Sequence, residues 1–107
     1  MKKALILLAF FAAVTVLAQQ QPSSIVVKDA TVATGVVIVT ADLEGKPIEL
    51  QCTQSMSACV SLKVGKYMMV QLPKNHGMYD CQNVNIYPDG ANPATAEKIG
   101  QYCLNPK

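Results

Sequence analysis

The chain has 107 residues, room for one domain, with 15% charged residues and a formal net charge of +2. All nine basic residues are lysines, and arginine, the side chain best suited to gripping phosphate in two-pronged fashion, is absent. With no arginine and no lysine cluster, the composition argues against nucleic acid and against an anionic membrane surface as partners.

Met1, Lys2 and Lys3 precede an apolar and small-residue run from Ala4 to Ala18, interrupted only by Thr15. Cations, an apolar stretch and a small terminal residue form the three-part pattern of a bacterial-type secretory signal, with cleavage expected between Ala18 and Gln19. A membrane-spanning helix needs about 20 apolar residues. This run is shorter and meets Gln19, Gln20 and Gln21 with no cationic stop, so no transmembrane segment is expected after cleavage. Lipid attachment is not expected either, because the first cysteine is Cys52. Lys2 and Lys3 depart with the signal, leaving seven lysines against seven acids, a near-neutral mature chain. Phe10 and Phe11 depart as well, and the core must be built from Val, Ile, Leu, Met, Ala and Tyr. The expected organisation is a signal peptide over 1–18, a flexible leader over 19–24, one β domain over 25–104 and a tail over 105–107.

Within the mature chain, Ile25–Val27 and Thr31–Val32 are β-branched, and Val36–Thr40 is an unbroken β-branched run, the strongest strand signal present. Gly35 is expected as a bend or bulge between them, leaving open one long strand or two. Asp42–Pro47 carries turn chemistry around Gly45. Ile48, Leu50 and Cys52 then alternate with Glu49 and Gln51, one face inward. Thr53–Ala58 reads as a polar loop, and Val60, Leu62 and Val64 as a short strand or extended segment. Tyr67–Leu72 is a strand ending at Pro73; its adjacent Met68 and Met69 must face opposite sides, so at least one is core. Lys74–Gly77 is a loop tip, and Met78–Tyr87 is extended with Val84 and Ile86 inward. Pro88–Thr95 is rich in turn residues. Ala94–Lys98 is placed as a helical turn and Ile99–Leu104 as the last strand. Five to six short strands separated by regular turn signals predict an all-β domain. Closing so small a sheet removes its edges, which favours a small closed or partly open barrel, resembling OB and SH3-like barrels in strand count; a compact β-sandwich is the alternative. That likeness concerns architecture and carries no function.

Cys52, Cys59, Cys81 and Cys103 are an even set in an exported chain, which reads as disulfides. Of the three possible pairings, Cys52–Cys59 with Cys81–Cys103 fits the expected hairpins best. Loop-closure entropy assigns these bonds roughly 2.5 and roughly 3.4 kcal/mol. The spacings of six, twenty-one and twenty-one intervening residues are not those of a zinc site, and no C-x-x-C redox pair occurs. No metal or cofactor is expected.

His76 is the single histidine and reads as a solvated turn residue beside Gly77. Ser55, Ser57 and Ser61 have no nucleophile-elbow context, and the acids are scattered without calcium-loop spacing. Tyr67, Tyr79, Tyr87 and Tyr102 would form a contact surface if they shared a sheet face. The expectation is a non-enzymatic exported binding or envelope-associated module, periplasmic or extracellular, with an unknown protein or small-ligand partner. The alternative is a secreted inhibitor of a protease- or lysozyme-type hydrolase. The candidate contact loop is Lys74, Asn75, His76 and Gly77, which strands on both sides would hold outward. Intact mass of the secreted protein should lie about 4 Da below its fully reduced form, and four free thiols would refute the disulfide reading.

Overall fold

The computed structural model describes residues 22–106. The expected signal peptide, Gln19–Gln21 of the leader and Lys107 lie outside the described residues. The β-branched run Val36–Thr40 forms most of β2 (Val36–Leu43), flanked by β1 (Ser23–Ala33) and β3 (Lys46–Thr53). Beyond them come β4 (Gly65–Gln71), β5 (Asn83–Pro88) and β6 (Gly100–Pro106). All six are antiparallel and close into a barrel in the order β1-β2-β3-β6-β5-β4, two three-stranded meanders joined edge to edge. The all-β barrel therefore forms, with β1 pairing β4 along one seam and β3 pairing β6 along the other. Ser23 and Ser24 belong to β1, opposite Met69 and Met68, rather than to a leader.

Local chemistry explains the turns. Thr34-Gly35 and Glu44-Gly45 are two-residue hairpin loops with positive φ throughout, the turn whose twist matches its strands. Gly35 is thus a hairpin tip, not a bend inside a strand. The bend lies instead at Lys28, where the register shifts from Val27↔Ala41 to Asp29↔Thr40. Inward Ile25 and Val27 keep one alternation, while Ala30 and Val32 keep the other. One extra residue restores the face, setting Ala30 opposite buried Val39. Lys28 projects outward 3.6 Å from Asp42, an exposed ion pair worth little to stability.

Inside the barrel, the alternating residues of all six strands meet in one core that includes Ile25, Val39, Leu50, Met69, Ile86 and Tyr102. Tyr102 is its largest fully buried side chain, and its hydroxyl donates to the Val60 carbonyl at 2.6 Å. Gly100 leaves the room for this, since a Cβ there would lie 2.7 Å from the Ala58 oxygen and 2.8 Å from the Tyr102 hydroxyl. Segment 54–64 accordingly crosses the barrel end. Its Ala58 carbonyl accepts from Gln101 N at 3.0 Å, and Leu62 is buried. Of the two readings of Val60–Val64, strand or extended segment, the strand does not form, and Val64 is 72% exposed. Nor does the helical turn expected over Ala94–Lys98. Asn92 instead caps a single turn, its Oδ1 accepting from Ala94 N and its carbonyl from Thr95 N and Ala96 N. Among the described residues there is no helix, and none long and apolar enough to cross a membrane.

Burial pushes the Tyr102 phenol from 10.0 up to about 12. Its neutral form is favoured by folding, so this contribution is complete below pH 10.0 and is lost as pH rises through about 12. Tyr102→Phe should cost about 1 kcal/mol at neutral pH and flatten the loss of stability between those pH values, as read by chemical denaturation. An unchanged alkaline slope would refute the assignment.

Candidate functional site

On β5, Val84 and Ile86 point inward, and Asn83, Asn85 and Tyr87 outward, as the alternation predicts. An outward face ordinarily meets solvent, yet Asn83 is 2% and Tyr87 9% exposed. The cause is that both flanking loops fold back over the outer wall. Asn83 Oδ1 accepts from Tyr79 N at 3.0 Å, and its Nδ2 donates to the carbonyls of Tyr79 at 2.7 Å and Cys81 at 3.1 Å. Gln101 Oε1 accepts from Met78 N at 2.8 Å, and Gln101 Nε2 donates to Asn85 Oδ1 at 2.9 Å. The Tyr79 hydroxyl accepts from Thr53 N at 3.3 Å, and Cys81–Cys103 fastens the segment to β6, Cα atoms 5.8 Å apart. Residues 72–82 therefore form a strap across the barrel wall. Gly77 is required by it, because a Cβ would come within 2.4 Å of the Asn83 side chain. The extended run expected over Met78–Tyr87 begins only at Asn83 for this reason.

Between the start of the strap and loop 89–99 lies a cleft of about 490 Å³. Val70, Asn85 and Tyr87 form its floor, Leu72-Pro73 and Asn92-Pro93 line its sides, and Pro22 also borders it. Among the described residues, no charged side chain lines it. The Tyr87 hydroxyl has no protein partner among the described residues, although the residue is nine-tenths buried. Asn85 and Asn92 use their oxygens within the protein, and their NH₂ groups have no protein acceptor among the described residues. The cleft thus sets the apolar Val70, Leu72, Pro73 and Pro93 beside side-chain N–H and O–H groups that no described residue engages. A second depression, about 510 Å³ beside Thr34, Gly35 and Gln54, is formed by turn residues at a hairpin tip.

Both disulfides pair as the spacing suggested, Cys52–Cys59 and Cys81–Cys103. Lys74, Asn75, His76 and Gly77 form an exposed turn, closed by His76 N donating to the Pro73 carbonyl at 3.1 Å. A strand holds this turn on its β4 side, and the strap holds it on the other. The turn continues directly from Pro73 in the cleft wall. The four tyrosines do not share a face: Tyr102 fills the core, the Tyr67 hydroxyl donates to the Lys63 carbonyl, Tyr79 lies on the strap and Tyr87 beneath the cleft. Among the described residues, no three His, Cys, Asp or Glu side chains gather as a metal site. The cleft had no sequence signal beyond prolines that read as turn punctuation.

No family model, curated protein or solved structure matches the chain. Two disulfides are consistent with an oxidising, exported location. Asn83→Ala should strip three hydrogen bonds from the strap and cost about 3 kcal/mol in urea unfolding with both disulfides intact. A loss below about 1 kcal/mol would mean that the disulfide alone secures the strap.

Proposed function

We propose that this chain is an exported, non-enzymatic binding module whose contact surface is the outer-wall cleft together with the Lys74–Gly77 turn. The observation that carries this reading is the cleft itself: a concave site, uncharged among the described residues, whose floor of Val70, Asn85 and Tyr87 sets apolar surface beside an amide NH₂ and an accessible phenol that no described residue engages. The phenol's hydroxyl reaches solvent, since no fully buried side-chain N or O among the described residues lacks a partner, and an accessible hydrogen-bonding group in a concave, uncharged site is one that a ligand engages. The strap adds order, since a surface held by amide clamps and a disulfide loses little conformational entropy when a partner docks. The signal-like residues 1–18 and the two disulfides support export. Against catalysis stands the placement of His76 on an exposed turn with no carboxylate or nucleophile hydrogen-bonded to it among the described residues.

The same pre-ordered turn suits an inhibitor, which inserts an exposed loop already closed by its own hydrogen bond. Capture with the tagged, oxidised chain from native envelope and medium, after crosslinking, tests the reading. One dominant partner should appear. Replacing Lys74 and His76 by Ala, and Asn75 by Gly because its φ is 66°, should reduce its recovery roughly tenfold without lowering Tm. Retained capture would remove the turn from the contact surface. A partner that is a hydrolase, with activity lost stoichiometrically, would make the module an inhibitor; turnover abolished by His76→Ala would overturn the non-enzymatic reading.

A further inference from the structure

We propose, building on the binding-module reading, that the cleft takes an extended, proline-containing peptide segment. Three features of its lining converge on that chemistry. First, no lysine or carboxylate borders it, so an ionic ligand would lose hydration with no opposite charge to replace it. Second, the Asn85 and Asn92 oxygens are engaged within the protein and their NH₂ groups remain as donors, joined by the Tyr87 hydroxyl and the exposed Gln71 amide, which both donate and accept. A proline-rich segment is the complementary object. Its prolines have carbonyls but no N–H, it makes no internal hydrogen bonds, and its backbone carbonyls stand outward along a stiff left-handed helix. Third, the apolar part of the lining is Val70, Leu72, Pro73 and Pro93, which offers seats for pyrrolidine rings. The chain's own Pro22, one residue before β1, already lies against this site beyond the Ser23↔Met69 pair. A proline on an extended segment therefore fits the wall.

A saccharide is the competing neutral ligand, and the lining disfavours it. Sugar hydroxyls need several acceptors, and among the described residues the lining holds no carboxylate, offering the neutral Tyr87 hydroxyl and Gln71 amide oxygen instead. Stacking needs an open ring face, whereas Tyr87 is 9% exposed. Recognition of a preformed polyproline helix also loses little entropy, which suits a shallow, rigid groove.

The test uses the oxidised, isotope-labelled chain, titrated by NMR with blocked hexaproline, a blocked Gly-Ser hexamer and chitohexaose. Hexaproline alone should give saturable shifts at Val70, Leu72, Asn85 and Tyr87, including the Asn85 side-chain NH₂. Tyr87→Phe, which keeps the buried ring, and Gln71→Ala, which alters only an exposed side chain, should each weaken binding roughly threefold to tenfold. Equal shifts with the Gly-Ser hexamer would overturn the proline requirement. Shifts at the cleft from chitohexaose and none from hexaproline would overturn the peptide class while leaving a binding module. Silence from hexaproline alongside successful partner capture would also overturn this proposal alone; failure of capture as well would remove the binding-module reading with it.

Discussion

The hydrogen bond from Tyr102 to the Val60 carbonyl is the constraint on which the barrel depends. The described domain has neither Phe nor Trp, so Tyr102 supplies the one large interior ring. A buried hydroxyl demands a partner, and the only route to one is toward the barrel end. Segment 54–64 brings Val60 to it, lays Leu62 over the core and hands the Ala58 carbonyl to Gln101. Gly100 keeps the approach open. Core volume, closure of one end and the path between the two meanders are therefore one problem with one solution.

On the outside, the corresponding work falls to amides. A side-chain amide both donates and accepts, so Asn83 satisfies a strap N–H and two carbonyls without bringing a charge into a covered place. Gln101 does the same between the strap and Asn85. This engagement is also what leaves the Asn85 NH₂ unspent beside the cleft. Packing of the strap and the donor character of the site are thus two sides of one network.

Legibility followed locality. β2 and β3 were readable because a β-branched run and strict alternation are nearest-neighbour chemistry, whereas Gly35 hid a hairpin tip; the disulfide pairing followed chain order, although only Cys52 and Cys103 lie on strands and Cys59 and Cys81 lie in loops. Ile25 and Val27 are out of phase with Ala30 and Val32, but whether a turn or a bulge takes up the slip shows only once their partners on β2 are known. Val60, Leu62 and Val64 alternate as well as any strand, but closure leaves them no ladder: β3 is taken by β6, and β4 by β1 and β5. Asn83 and Tyr87 read as solvated faces because alternation says which side a residue takes, not what later covers that side. The cleft joins residues 22, 70–73, 85, 87 and 92–94, a grouping that exists only once β1, β4 and β5 lie side by side. Lys74–Gly77 was found as an exposed turn, but its neighbour across Pro73 was not visible.

The two seams of the barrel also set an order of events. A chain made N-terminus first presents β1, β2 and β3 as an open meander, and nothing can cover the free edge of β3 until β6, the final strand, arrives. Cys52 and Cys59 are both present early, whereas Cys81 must wait for Cys103 near the end of the chain. For that interval the growing chain carries an unpaired β-edge and an orphan thiol together, the combination most exposed to mispairing and to strand addition between copies. The final seven-residue strand therefore removes both hazards at once. A chain stopped short of it would keep both.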